Sequence, residues 1–238
     1  MYLDIIIPAF NEENFIEAVL CKLVNLDFEG MLDCYAITVV DDCSTDRTVE
    51  IVTRFVQNMD QIQLICHDKN MGKGAAVRTG IKSTRGEFIL IQDADLELCP
   101  DDIVEMVRQM LLLKVDFING SRYLPGVIRP LYSYRRYYIN KLFTKLASVL
   151  INIRLTDIAC GYKLFSRKIV NQIKLQENKF GFEAELLIKT VKLRRTLVAE
   201  VPVQYFPRNA GEGKKIRNID GLRILYTILK YSLFQSRS

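Results

Sequence analysis

The feature that most constrains the fold is an alternation of short apolar runs with amphipathic segments. Apolar runs typical of buried strands lie at residues 3–7, 35–40, 62–65 and 87–91. The intervening segments, residues 44–58 and 73–82, have the apolar spacing of helices. This alternation predicts an α/β fold with a mixed, mainly parallel sheet flanked by helices.

Local signals refine these boundaries. Pro8 is expected to end the first strand, and Asn11 to cap a helix that starts at Glu12. Pro202, inside a strand predicted over residues 197–205, indicates an edge strand or a bulge. The remaining predicted elements are strands at 116–119 and 162–165 and helices at 103–113 and 182–193. No linker or internal repeat divides the sequence, so residues 1–238 are predicted to form one domain.

Two segments of the second half have an unusual composition. Residues 122–156 contain seven basic residues, six aromatic residues and no acidic residue. Such a segment suits a helix that dips apolar side chains into a lipid interface, although a core helix with a solvated basic edge is the alternative. Residues 216–236 are predicted to form an amphipathic helix with Leu222, Tyr226 and Leu233 on its apolar face. That face would dock on the domain, on a membrane or on a transmembrane partner subunit.

Composition excludes several classes. The sequence is 49% hydrophobic and 26% charged, which is typical of a globular protein, and its net charge of +5 is too small for a protein that coats nucleic acid. Six cysteines without C-x-x-C spacing and a single histidine predict free thiols in a reducing cytosol rather than a zinc site. Without a signal peptide or an apolar run of about 20 residues, a cytoplasmic protein, peripheral on the cytosolic face of a membrane, is expected.

Carboxylates follow two of the predicted strands. Asp93, Asp95 and Glu97 come directly after the strand at 87–91, where they would repel one another unless a cation lay between them. Mg²⁺ and Mn²⁺ prefer such oxygen ligands and often share the ion with a substrate phosphate; alternatively, these acids face solvent and cap the next helix. Asp42 follows the strand at 35–40 and suits a nucleobase or ribose, or a turn with Ser44.

Two common nucleotide-binding motifs are absent. The loop at residues 70–74 resembles a phosphate cradle, but His67 stands where a P-loop has its first glycine. The dinucleotide fingerprint G-x-G-x-x-G is also missing, which argues against a nicotinamide enzyme.

Five motifs together resemble family 2 glycosyltransferases of the GT-A fold: PAFNEE at 8–13, DDCSTD at 41–46, NMGKG at 70–74, DADLE at 93–97 and GSR at 120–122. Later segments, at 156–165, 181–185, 201–208 and 213–216, are similar to the polyprenyl-phosphate hexosyltransferase branch of that family, the dolichyl-phosphate mannose and glucose synthases. The resemblance covers nearly the whole chain.

The resemblance implies roles for particular residues. Asp95 and Glu97 would hold Mg²⁺ or Mn²⁺, and Arg122 would contact phosphate or the transferred sugar. Arg208 and Lys214 would close over the diphosphate of the nucleotide sugar. The nucleotide-sugar site would also include Pro8, Phe10, Glu12, Val40, Asp42, Lys73, Asp93 and Ala94.

The implied reaction is metal-dependent transfer of a hexose, with inversion, from UDP-glucose or GDP-mannose to a polyprenyl phosphate. A phosphate monoester is already largely ionised at neutral pH and needs no base, and Asp157 or Glu185 could serve if one is required. Transfer to a hydroxyl group of a glycan, a non-catalytic sugar-nucleotide-binding protein and, more remotely, a sugar-1-phosphate nucleotidyltransferase are the alternatives.

Overall fold

A computed structural model describes residues 1–126, 133–193, 196–208 and 218–234. The strands are β1 (Tyr2–Ala9), β2 (Cys34–Asp41), β3 (Ile62–Cys66), β4 (Phe88–Ile91), β5 (Phe117–Ser121), β6 (Lys163–Ser166) and β7 (Val198–Pro202). The helices are α1 (Ile16–Val24), α2 (Thr48–Asn58), α3 (Lys73–Ser83), α4 (Asp102–Leu113), α5 (Tyr134–Ile151), α6 (Arg167–Val170), α7 (Phe182–Lys192) and α8 (Asn218–Leu229). A π-helical turn, Lys230–Phe234, continues α8.

The seven strands form one sheet in the order β3-β2-β1-β4-β6-β5-β7. Neighbouring strands are parallel except β6, which is antiparallel to both β4 and β5. The predicted mixed, mainly parallel sheet is therefore confirmed. Because β2 and β4 lie on opposite sides of β1, the chain reverses its winding direction there and leaves a crevice at the carboxyl ends of these strands.

Successive side chains along a strand point to opposite faces of the sheet, and they form two hydrophobic cores, one on each face. In β1, Leu3, Ile5 and Ile7 pack with α1, α2 and α4, while Ile6 packs on the other face with α3 and α7. Helices α5 and α8 join the second face through Ala147 and Ile228. Helices thus cover both faces, as the βα alternation requires.

Two of the predicted boundaries are wrong. Pro8 lies inside β1, paired in register with Val40, because β4 pairs only as far as Ile6 and no β4 partner needs an N–H from position 8. Asn11 does not cap a helix: α1 begins at Ile16, and the Asn11 side chain instead accepts a hydrogen bond of 2.8 Å from the Thr45 backbone N–H. Asn11 thereby joins the loops that follow β1 and β2.

Other boundary predictions are confirmed or lie outside the described residues. Pro202 is the last residue of β7, which is an edge strand. In the segment 122–156, residues 127–132, with Arg129 and Tyr132, lie outside the described residues, and so do residues 216–217 and 235–236 of the predicted C-terminal helix.

The predicted apolar face of α8 is turned outward rather than into the core. Leu222 and Tyr226 are exposed, and the buried side carries Thr227, Ile228 and Tyr231 instead. The reason is a close helix contact, since a Cβ atom at Gly181, at the start of α7, would overlap the Thr227 hydroxyl group. Only this side of α8 can approach α7 so closely.

Candidate active site

A cleft of about 800 Å³ lies at the carboxyl ends of β1, β2 and β4. The loops that follow these strands place carboxylates and cations around one cavity. Of the residues predicted for the site, the following line it: Pro8, Phe10, Glu12, Asp42, Lys73, Asp93, Ala94, Asp95, Glu97, Arg122 and Arg208. The first, second and fourth strands therefore converge on the site that the motifs indicate.

Three predicted residues of the described part of the chain do not line this cleft. Val40 is fully buried within β2. Glu185 is also fully buried, where it accepts hydrogen bonds from the backbone of Gln176 and Glu177 and pairs with Lys189 at 2.6 Å. Asp157 is buried behind Arg122. Lys214 lies outside the described residues.

Arg208 connects the acidic side chains of the cleft. Its guanidinium group lies 3.0 Å from the Glu12 carboxylate and 2.7 Å from that of Asp95. Its backbone N–H donates to Glu97 Oε1 at 2.9 Å. Glu97 also accepts a hydrogen bond of 3.1 Å from the Tyr205 hydroxyl group, and its carbonyl oxygen accepts from the Phe206 backbone. Residues 205–208 are thus fastened to the acidic loop that follows β4.

Negative charge in this loop exceeds what its neighbours neutralise. Burial and the Asp93 carboxylate raise the pKa of Asp95 to about 7, although Arg208 opposes the shift. A carboxylate with a pKa raised in this way is stabilised by any additional cation. Hard oxygen ligands of this kind suit Mg²⁺ or Mn²⁺.

The protein offers only part of a coordination shell. Among the described residues, no group of three or more histidine, cysteine, aspartate or glutamate side chains is arranged to hold a metal ion. Asp95 and Glu97 would supply two oxygen ligands, and Mg²⁺ in phosphate sites characteristically takes the rest from the phosphates and water. The residues present therefore fit an ion that is shared with a diphosphate.

Lys73 bridges two carboxylates on the other side of the cleft. Its ammonium group lies 2.6 Å from Asp93 and 2.6 Å from Glu183. Burial alone would lower the pKa of Lys73, but these two carboxylates raise it, so the side chain stays charged. Lys73 thereby holds the first residue of α3 against the loop after β4 and the start of α7.

Arg122 is held by a buried ion pair. Its guanidinium nitrogens lie 2.7 and 2.9 Å from the two carboxylate oxygens of Asp157. Although burial opposes charge on both groups, their mutual attraction lowers the pKa of Asp157 and raises that of Arg122. Asn140 of α5 donates to the same carboxylate at 2.9 Å. Asp157 is thus a fixed anion that orients Arg122 towards the cleft.

Sequence reasoning missed several residues that line the cleft, among them Lys179, Glu183, Tyr205, Asp220 and Arg223. Glu183 lies two residues before the predicted Glu185, at the start of α7. A helix turns by about 100° per residue, so two positions point to very different sides. Both acids lie in the first turn of α7, so the sequence contained no signal that separates Glu183 in the cleft from the buried Glu185.

The strand order and the crevice at the carboxyl ends of the strands define an α/β protein of the nucleotide-binding class. Residues 4–174 match the model of glycosyl transferase family 2. The chain therefore belongs to glycosyl transferase family 2, and the predicted family resemblance is confirmed.

Two curated relatives have similar sequences, both from Trichomonas vaginalis. Dolichyl-phosphate beta-glucosyltransferase ALG5C is 33% identical over 216 residues, which span 86% of this chain and 64% of the relative. Dolichyl-phosphate beta-glucosyltransferase ALG5D is 27% identical over 251 aligned positions, which span 98% of this chain and 74% of the relative. The aligned part of this chain thus spans just under two thirds of the first relative's length.

Among solved structures, glucosyl-3-phosphoglycerate synthase from Mycobacterium tuberculosis has the same fold. Its crystal structure with Mn²⁺, UDP and phosphoglyceric acid superposes with a TM-score of 0.74 at 20% identity, over 99% of this chain and 80% of that one. Another crystal structure of the same enzyme contains Mg²⁺ and UDP. The predicted GT-A fold is confirmed by this likeness.

Proposed function

We propose that this chain transfers glucose from UDP-glucose to a polyprenyl phosphate at a membrane surface, with inversion at the anomeric carbon. The observation that carries the proposal is that two acids, Asp95 and Glu97, line the same cleft as the cations Arg122 and Arg208. The two dolichyl-phosphate beta-glucosyltransferases support the sugar and the acceptor. The UDP bound to the synthase of the same fold supports the base.

The donor diphosphate would lie between the loop after β4 and residues 205–208. Asp95 and Glu97 would hold a divalent ion, which would supply Lewis-acid stabilisation of the negative charge on the departing diphosphate. Arg208, now 2.7 Å from Asp95, would add a second positive charge beside the same oxygens. Lys73 keeps Asp93 in place beside the donor through its contact of 2.6 Å.

The acceptor phosphate would lie against Arg122. The second ionisation of a phosphate monoester has a pKa near 6, so at neutral pH the acceptor phosphate attacks without a protein base. One of its oxygens forms the new bond to the anomeric carbon, the bond from that carbon to the diphosphate oxygen breaks, and UDP leaves with the electron pair. Direct displacement inverts the configuration. In this arrangement Asp157 orients Arg122 through the contacts of 2.7 and 2.9 Å and takes no proton.

Helix α5 would bring the cleft to the lipid. Its exposed apolar side chains Tyr134, Tyr138, Leu142 and Val149 recur at helical spacing, and Arg135, Arg136 and Lys145 are exposed on the same helix. Apolar side chains beside cations suit the boundary between acyl chains and anionic headgroups. Asn140 ties this helix to Asp157 and so to the cleft. None of the described helices is long and apolar enough to span a bilayer. The proposal includes peripheral attachment of the chain to the cytosolic face of a membrane.

The proposal is tested by incubating the chain with Mn²⁺, radiolabelled UDP-glucose and a polyprenyl phosphate, then extracting lipid-linked glucose. Product should require the lipid phosphate and should disappear with Asp95→Asn. The matched control is Asp60→Asn, at an exposed position outside the cleft. Absence of lipid-linked sugar, or glucose transfer to a hydroxyl acceptor at an equal rate, would contradict the proposal.

A further inference from the structure

His67, the single histidine of the chain, lies directly behind the cleft. Its side chain is only 7% exposed, and both ring nitrogens have partners. Nδ1 lies 2.8 Å from Asp42 Oδ1, and Nε2 lies 2.8 Å from the hydroxyl group of Thr79 in α3. His67 directly follows β3, and its ring thus connects the loop after β2 to helix α3.

The partner at Nδ1 fixes one proton of the ring. The Asp42 carboxylate only accepts hydrogen bonds, so Nδ1 carries a proton and donates it to Asp42, and Nε2 forms the second hydrogen bond with the Thr79 hydroxyl group. A ring held at both ends cannot rotate without breaking one contact. His67 therefore presents a fixed N–H group to Asp42.

The acceptor positions of Asp42 are then nearly filled. Oδ1 accepts from His67 Nδ1 and also from the Met71 backbone N–H at 2.8 Å. Oδ2 accepts from the Gly72 backbone N–H at 2.6 Å. Gly72 has a backbone φ angle of +97°, which residues other than glycine rarely adopt. Because a carboxylate has about four acceptor positions, the contacts from the described residues leave Asp42 one, on Oδ2.

We infer that His67 is a specificity-determining residue for the nucleotide base, because it limits Asp42 to one free acceptor position. Uracil has a single ring N–H on its pairing edge, between two carbonyl groups. Guanine has two adjacent N–H donors on that edge, which match a carboxylate with both oxygens free. A guanine here would leave one buried donor without an acceptor, which is penalised strongly. The inference rests on the proposed function, since it takes Asp42 as a base contact.

The test is calorimetric titration of UDP and of GDP into the protein at equal Mg²⁺ concentration. The wild type is expected to bind UDP at least about tenfold more tightly than GDP. His67→Ala should gain about tenfold in GDP affinity and change little in UDP affinity, because it frees an acceptor position of Asp42 for the second N–H group of guanine, so that the preference nearly disappears. His67→Asn should restore the preference to within about threefold, because the amide nitrogen of asparagine occupies the place of Nδ1.

Thr79→Val, which removes the contact at Nε2 that holds the ring against Asp42, should reduce the preference for UDP over GDP by about threefold. The matched control is Thr53→Val, since Thr53 is also a half-buried helical threonine but donates only to the Val49 carbonyl oxygen in α2. It should leave both affinities unchanged. Nitrogen-15 spectra of the single histidine should show a protonated Nδ1, with and without UDP.

The outcomes separate the two ideas. Wild-type protein that binds neither nucleotide contradicts the proposed function itself. Wild-type protein that binds UDP and GDP equally, or His67→Ala protein that keeps the full preference for UDP, overturns the role of His67 alone. If His67→Ala does not fold, a proton on Nε2 instead of Nδ1 in the wild type overturns the inference equally well.

Discussion

At the scale of single residues, the proposed function gives Asp95 a role in ligand binding, and its burial gives it a penalty for folding. Its carboxylate is buried beside Asp93, and the Arg208 guanidinium group, 2.7 Å away, compensates its charge in part. Functional sites characteristically hold such unfavourable charge because the ligand relieves it. Stability and activity should therefore respond in opposite directions to its removal.

Asp95→Asn should stabilise the metal-free protein at pH 8 while abolishing glucose transfer. The pKa of Asp95 is raised to about 7 in the folded chain, so protonation favours folding, and this contribution is lost as the pH rises through 7. The neutral amide avoids that loss, and the free energy of unfolding should rise by about 1–3 kcal/mol. Urea denaturation in EDTA measures it, and the gain should shrink at pH 5. A less stable Asp95→Asn protein at pH 8 would refute the charge argument.

Asp157→Asn should lower stability by about 2–4 kcal/mol, because it leaves Arg122 without its buried partner. Transfer to the lipid phosphate should continue with a raised KM for the acceptor, since Arg122 would be less well oriented. A complete loss of turnover without loss of stability would instead identify Asp157 as a base. Steady-state kinetics and urea denaturation distinguish these results. Glu185→Gln, at a buried carboxylate outside the cleft, is the control and should change stability alone.

Sequence reasoning located the residues whose position follows from strand ends. Asp42 and Asp95 could be predicted because parallel strands bring their carboxyl ends to one edge. Glu183 could not, because its place depends on how α7 is rotated, and that rotation is set by packing against α8 at Gly181 and Thr227. The contact between His67 and Asp42 joins residues 25 positions apart, and no motif contains both.

At the scale of elements, α3 is fitted tightly against the segment that precedes α7. A Cβ atom at Gly74 would overlap the Glu177 carbonyl oxygen and come within 2.9 Å of Phe182 Cβ. Gly74→Ala should therefore destabilise the protein by about 1–3 kcal/mol, although alanine favours helices. Thermal unfolding monitored by circular dichroism is the measurement.

The matched control for Gly74→Ala is Gly221→Ala in α8, where a Cβ atom would meet only Phe143 at 4.0 Å. Helix propensity then acts alone, and this variant should gain about 0.5–1 kcal/mol. Equal effects of the two substitutions would show that the close contact of α3 is unimportant.

The exposed faces of α5 and α8 should bind anionic vesicles. Replacing Tyr138 and Leu142 together by serine should reduce binding by at least about tenfold, because two apolar side chains would no longer enter the interface. Co-sedimentation with phosphatidylserine-containing vesicles tests this. Leu112 and Leu113, exposed on α4 at the opposite face of the sheet, provide the control when both are replaced by serine. Equal losses from the two pairs would contradict a membrane role for α5.

The periodicity of the sequence predicted which segments form helices and strands. It did not predict which side of α8 is buried. Leu222, Tyr226 and Leu233 share one side of the sequence pattern, yet the structure leaves them exposed and buries Thr227 and Tyr231. Periodicity assumes that the apolar side faces the core. In α8 the close approach of Thr227 to Gly181 sets the side that packs against α7, and the apolar side stays exposed.

At the scale of the whole molecule, the cleft joins parts of the chain that are far apart in sequence. Arg208 links Glu12, after β1, to Asp95, after β4. Lys73 at the start of α3 links Asp93 to Glu183 at the start of α7. Ligands that bind between these parts bind only the folded chain, so they should raise its stability as a unit.

UDP and Mn²⁺ together should raise the melting temperature by about 5–10 °C at 100 times their dissociation constant. Binding at that excess adds about 2.7 kcal/mol, and each kcal/mol corresponds to about 2–4 °C for a chain of this size. Either ligand alone should give less than half of the shift, since in the proposed site Asp95 and Glu97 would supply two ligands and the diphosphate would supply others. Scanning calorimetry measures the shift, and Asp95→Asn should abolish the part that depends on Mn²⁺. If Mn²⁺ alone produced the full shift of the melting temperature, the protein would supply enough ligands by itself. The proposal that carboxylates and diphosphate share the ion would then be wrong.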